Sequence, residues 1–139
     1  MSRFVVGMSA AEEEADLRDI DAAYLRNGGE FLVGLLNGQV VAMGGFRLLS
    51  GNTAELKRMR VRSDLQGQGY GTQLLHELER LASARHIQTL CLETAKARPL
   101  TLRFYRQHGY QESGEGLYGQ VVTVRFTKHI DCQVDRRTR

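Results

Sequence analysis

Between residues 62 and 74 the hydrophobic pattern changes period, and this change restricts the fold more than any other feature of the chain. Upstream, Thr53 to Arg62 reads as a strand in which Leu56, Met59 and Val61 alternate imperfectly. Downstream, Leu74, Leu75, Leu78, Leu81 and Ala82 form an apolar stripe at helical spacing. The hinge between them is Gln66-Gly67-Gln68-Gly69-Tyr70-Gly71-Thr72, with glycine at three alternate positions. A strand, a glycine-rich turn and a long helix in that order predict a strand–helix–strand unit, closed by the short apolar run Thr89 to Thr94 as a parallel neighbour.

The flanking segments supply the other elements. Phe31 to Leu36 and Gln39 to Leu49 are apolar runs joined by Asn37-Gly38, a dipeptide suited to a type I′ hairpin turn because both central residues need positive φ. Ser50-Gly51-Asn52 turns the chain into the next strand, giving three consecutive antiparallel strands. Ser9-Ala-Ala-Glu12 reads as a capping box opening an N-terminal helix that Gly28-Gly29 closes, with Glu12, Glu13, Glu14 and Asp16 suiting its positive end. Pro99 opens a further helix and Gly109 ends it as the C′ residue. Val122, Val124 and Phe126 alternate with polar residues as a last strand. Residues 1–139 are expected to form one domain, with 130–139 a loose polar tail.

Composition narrows the function. Cys91 and Cys132 are the two cysteines, with no C-x-x-C pair, so neither a zinc site nor a disulfide framework is expected and a reducing cytoplasm fits. The chain lacks a signal-peptide pattern and any membrane-length apolar run, so no membrane partner is expected. Residues 1–50 carry four basic and seven acidic side chains, and residues 51–139 carry fifteen and nine, so the second half should hold any anionic ligand. Nucleic acid is a poor candidate, because the basic cluster Lys57 to Arg62 has no interleaved aromatic residues.

The hinge itself points to phosphate. Glycines remove Cβ atoms where a backbone must approach a ligand closely, and the uncapped N–H groups of the following helix favour an anion. A tight strand-to-helix turn with no ligand would have the same composition. The dinucleotide pattern G-x-G-x-x-G fails, since its last position is Thr72 counted from Gly67 and Leu74 counted from Gly69. The P-loop pattern fails for want of Gly-Lys-Ser/Thr.

Gln66-x-x-Gly69-x-Gly71 resembles the acyl-CoA motif of the GNAT superfamily of N-acetyltransferases. Glu55 to Val61 looks like the strand before that motif and Leu90 to Thr94 like the strand after the long helix. Phe104-Tyr105-Arg-Gln-His-Gly109-Tyr110 resembles the family's Tyr-x-x-x-Gly-Phe helix ending. The resemblance spans residues 30 to 128. It implies an α/β (α+β) fold with a mixed, mostly antiparallel sheet of six to seven strands, splayed between the fourth and fifth and flanked by three to four helices. It also implies an acetyl-CoA-dependent acyltransferase without a metal, acetylating a small-molecule or peptide amine by direct attack in a ternary complex. A non-catalytic acyl-CoA sensor of the same fold is the alternative, and homodimer formation is left open.

Carried over residue by residue, main-chain groups of Gln66, Gly67, Gln68, Gly69, Gly71 and Thr72 match the pyrophosphate loop, the Thr72 hydroxyl being an added donor. Met59 and Val61 match the strand that pairs with the pantetheine arm. Tyr105 matches the tyrosine near the thioester sulfur, where it would bind the cofactor and act as an acid; a core aromatic with a satisfied hydroxyl is the competing reading. Glu55 and Glu93 are the candidate bases, Glu55 narrowly ahead, against exposed or salt-bridged strand residues or a water chain. Many members carry Asn seven residues before the tyrosine, where this chain has Arg98. Cys91 reads as a small core residue, and His86 and His108 as helix-end caps. The resemblance also implies that the acceptor enters past the N-terminal helix, here Glu12 to Asp21, and the loop before the last strand, here Gly114 to Gly119 with Tyr118; the acidic helix could favour a cationic amine.

Overall fold

In the computed structural model of the protein, residues 4–7, 24–25 and 28–130 are described. The expected Ser9-capped helix, apart from Tyr24 and Leu25, and all of the expected tail but Ile130 lie outside them. Seven strands form one sheet in the order β1-β2-β3-β4-β5-β7-β6: β1 Phe4–Gly7, β2 Glu30–Leu36, β3 Gln39–Ser50, β4 Thr53–Val61, β5 Thr89–Ala95, β6 Gln111–Tyr118 and β7 Val121–His129. All neighbours are antiparallel except β4 and β5. Two α-helices stand among the described residues, α1 Tyr70–Ala84 and α2 Pro99–Gln107, where three to four were expected.

Local chemistry accounts for the boundaries. Asn37 and Gly38 have φ of 53° and 81°, the geometry that the β2–β3 hairpin demands. Helix α2 ends in a Schellman motif: Tyr110 N–H donates to the Tyr105 carbonyl at 3.0 Å, Gly109 N–H donates to that of Arg106 at 3.1 Å, and Gly109 sits at φ 90°. Helix α1 ends in the same two bonds, Ile87 to Ala82 and His86 to Ser83, but its left-handed C′ residue is His86 at φ 64°.

One face of the sheet carries the main core. Leu74, Leu75, Leu78 and Ala82 of α1 are fully buried against Phe46, Ala54, Leu90 and Phe126, with Leu102 and Tyr105 of α2 in the same cluster. The opposite face carries Tyr24, Phe31 and Val33. Period-2 alternation assigns the remaining strand residues to these two faces.

Two corrections concern strands. The imperfect alternation at Leu56, Met59 and Val61 is a β-bulge: pairing with β3 slips between Met43 and Gly45, and Arg58 adopts φ 61°. The extra residue returns Met59 and Val61 to the helix side, where a Cβ on Gly44 would lie 2.4 Å from Met59 Sδ. The segment Gly114 to Gly119, expected as a loop, is mostly strand β6. Its side chains are almost all exposed and two positions are glycine, so main-chain pairing with β7 at the sheet edge holds it and burial leaves no alternation to read.

Candidate active site

Strands β4 and β5 pair only through Thr53–Thr89, Ala54–Leu90 and Glu55–Cys91. Beyond that point β4 continues to Val61 and β5 to Ala95 without pairing, so the sheet opens between its fourth and fifth strands. A cleft of about 770 Å³ occupies the opening, lined by Glu55 to Arg60 of β4, Leu92 to Thr94 of β5, Arg98, Thr101 and Tyr105 along α2, and the β6–β7 turn. Leu117 and Tyr118 at the end of β6, each 73% exposed, are among the residues lining the cleft.

Past Val61 the chain makes a single 3-10 turn, Ser63–Leu65, and reaches the glycine turn. Gln66 Nε2 donates to the Val61 carbonyl at 3.1 Å, tying the turn back to the end of β4. Gly67 and Gly69 have φ of 82° and 93°, and a Cβ at either would meet nothing within 4 Å. Space is therefore open where the sequence removed side chains. Gly69 is the N-cap of α1, no side chain caps that helix, and Gln73 is the first N–H with a helical acceptor, on the Gly69 carbonyl at 3.0 Å. The N–H groups before it lack helical partners and add to the positive end of the helix dipole. Gly71 is closer-set, its Cβ position 3.5 Å from the Phe104 ring and Val61.

The Thr72 hydroxyl has a partner that sequence reasoning missed. Thr72 Oγ1 lies 3.1 Å from His108 Nε2, and His108 Nδ1 lies 2.8 Å from the Phe104 carbonyl. A carbonyl can only accept, so Nδ1 carries a proton; in the neutral ring Nε2 then accepts from Thr72. His108 thus ties the end of α2 to the start of α1, besides sitting at a helix end. Its place four residues, about one helical turn, after Phe104 was the only signal in the sequence.

Tyr105 is 5% exposed, and burial raises its phenol well above the ordinary 10.0. Phe104, Tyr110 and Phe126 surround its ring. No described residue bonds its hydroxyl, yet among the described residues no buried side-chain oxygen or nitrogen lacks a partner. The hydroxyl therefore opens onto the cleft that Tyr105 lines. Arg98, Thr101 and Tyr105, spaced by three and four, form one stripe of α2 along it.

Both candidate carboxylates line the cleft, each with one oxygen engaged. Glu55 Oε1 accepts from Arg47 Nε at 3.2 Å, with Arg47 NH2 at 3.1 Å, and Glu93 Oε2 accepts from the Thr123 hydroxyl at 2.5 Å. Arg47 faces Glu55 across the β3–β4 pairing and Thr123 comes from β7, so each contact depends on strand register, which is why neither was foreseen. Cys91 lies opposite Glu55, and its thiol is pushed up by burial and then by the charge of Glu55, which disfavours the nucleophilic thiolate. Among the described residues no group of three or more His, Cys, Asp or Glu could hold a metal ion, and no helix is long and apolar enough to cross a membrane.

A sheet parted in this way beside an open helix N-terminus defines the class. The family model described as the acetyltransferase (GNAT) family matches residues 3–110, and the chain belongs to that family. Among solved structures it is similar to a GNAT acetyltransferase from Staphylococcus aureus Mu50, with TM-score 0.77, 24% identity, and 84% of this chain and 77% of that one covered. It is also similar to a GNAT acetyltransferase from Elizabethkingia anophelis with acetyl-CoA bound, with TM-score 0.72, 16% identity, and 91% and 98% covered. A curated relative, N-acetylaspartate synthetase of Danio rerio, is 30% identical over 102 residues, 72% of this chain; the match spans 36% of that protein's length.

Proposed function

We propose that the protein transfers an acetyl group from acetyl-CoA to a primary amine by direct attack in a ternary complex. One observation carries the reading: β4 leaves β5 after Glu55 and runs into a glycine turn with open space at an uncapped helix start. These residues fit the cosubstrate. Main-chain amides of Gln68, Gly69, Gly71 and Thr72 would hold its diphosphate, Gln66 and Gly67 would shape the turn, and the free edge of β4 at Met59 and Val61 would pair with its amide-bearing arm. The Val61 carbonyl is already taken by Gln66, so Met59 has the larger share of that pairing. Bound there, acetyl-CoA supplies a thioester open to attack by an amine. The zebrafish relative bears the name of an enzyme that makes an N-acetylated amino acid, which favours nitrogen as the acceptor atom.

The protein's own residues manage two protons. An alkylammonium of pKa about 10.4 must lose its proton, at a cost of roughly 4–5 kcal/mol at pH 7. Glu55 and Glu93 flank the Cys91 position and each has an oxygen to receive it. Glu93, bonded to a neutral hydroxyl, can take the proton without leaving a guanidinium unpaired, so it is the base in this reading. At the other end Tyr105 holds its proton more tightly than a thiol of pKa about 8.5 does. Full transfer to sulfur is uphill, and Tyr105 serves as a hydrogen-bond donor to the departing sulfur.

The test is free-thiol release from acetyl-CoA across a panel of amines, with Tyr105→Phe alongside. The proposal expects release with at least one amine and a fall in kcat of about 10²-fold in the variant. Acetyl-CoA binding without release for any amine would instead make the protein a sensor. A Tyr105→Phe rate within about twofold of the native enzyme would remove Tyr105 from the chemistry.

A further inference from the structure

We propose that the acceptor carries a carboxylate beside its amine, and that Lys57 holds that carboxylate on the sheet face turned away from the helices. This deepens the transferase reading and rests on it. In β4, Ala54 and Leu56 point into the helix-side core, so Glu55 and Lys57 project from the other face. In β5, Leu90 and Leu92 point inward and Cys91 and Glu93 outward, and in β7 Val124 and Phe126 point inward, leaving Thr123 and Arg125 outward. A polar strip therefore crosses the outer face where β4 and β5 part. Glu55, Lys57, Glu93 and Thr123 all line the cleft.

Within that strip the negative charges are already matched. Glu55 is bonded to Arg47, and Glu93 accepts from Thr123 and lies opposite Arg125 in the β5–β7 register. Lys57 is different: it is half-buried, and none of the ion pairs among the described residues includes it. A partly desolvated ammonium without a counter-charge is unfavourable, and an anionic ligand group relieves it. Lys57 is also badly placed for the cofactor's diphosphate, because Lys57 to Val61 alone spans about 13 Å of strand at ~3.3 Å per residue before the turn begins. Glu55 and Lys57, two residues apart on one face, stand about 6.6 Å apart along the strand. A small zwitterion can place its ammonium between Glu55 and Glu93, within reach of the base, and its carboxylate by Lys57. Lys57 thus offers a cation where Glu55 and Glu93 already have partners, which favours a carboxylate-bearing amine over a polyamine.

The experiment compares aspartate, glutamate and glycine with propylamine and spermidine in the thiol-release assay, and repeats it with Lys57→Gln and Lys57→Arg. Carboxylate-bearing amines should have kcat/KM at least about tenfold higher than the others. Lys57→Gln should raise their KM by about tenfold or more, as expected for loss of a charge-assisted hydrogen bond. It should leave the KM for acetyl-CoA unmoved, and Lys57→Arg should retain most of the preference. Calorimetry of aspartate and glutamate on the CoA-saturated protein separates the two readings. Binding that Lys57→Gln abolishes, without thiol release for any amine, would sink the transferase and uphold the carboxylate site. Equal or better rates for propylamine or spermidine, an unchanged KM in Lys57→Gln, or no amino-acid binding together with no preference, would overturn it.

Discussion

His86 occupies the left-handed C′ position of α1 although it is not glycine. A side chain there costs about 1 kcal/mol relative to glycine, because Cβ crowds the following carbonyl. His86→Gly should therefore raise stability by up to about 1 kcal/mol, read as a melting temperature higher by about 3–4 °C in a chain this size; a lower value would contradict the assignment. The equivalent residue of α2, Gly109, was legible in the sequence as a C′ glycine, whereas His86 carried no such mark. Tyr105 was legible as a candidate only through its place before Gly109. Its open hydroxyl comes from packing by Phe104, Tyr110 and Phe126, side chains that only the fold brings together.

At the scale of elements, legibility followed burial and backbone chemistry. The β2–β3 hairpin was readable from Asn37-Gly38, α1 from its leucine stripe, and α2 from Pro99 and Gly109, because each signal records a local conformational demand. Strand β6 was not readable, since Gly114 and Gly116 weaken strand propensity and solvent covers both its faces. The β4 bulge was visible only as a broken alternation. Its cause, the slip of pairing opposite Gly44, is a property of two strands together. Of the candidate site, the glycine turn was legible because its chemistry is that of the main chain. The partners of its side chains were not: Arg47 on Glu55, Thr123 on Glu93 and His108 on Thr72 all cross between elements.

For the molecule as a whole, two buried phenols set a limit at high pH. Tyr105 and Tyr110 both have their ionisation raised above 10.0 by burial, and Tyr110 also donates to Glu79 at 2.7 Å. In the unfolded chain these phenols lose protons above pH 10 while the folded protein keeps them, so their contribution to stability is intact below pH 10 and is lost as pH rises beyond it. Each should remove about 1.4 kcal/mol per pH unit there, and Tyr110→Phe should flatten the alkaline limb of a denaturant-monitored stability profile by one such share. An unchanged slope would mean that Tyr110 is not protected from ionisation. In the proposed function the glycine turn, the parted strands β4 and β5 and the pair Glu55 and Glu93 act as one site, and that proposal depends first on the main-chain amides at the start of α1. Calorimetric titration of acetyl-CoA into the native protein and into Gly69→Glu tests it most directly, with Gly69→Asn, which tolerates the left-handed backbone without adding charge, as the folding control. The account predicts saturable one-to-one binding, reduced by about 10²-fold or more in Gly69→Glu and far less in Gly69→Asn. Native-like affinity in a folded Gly69→Glu variant would contradict it.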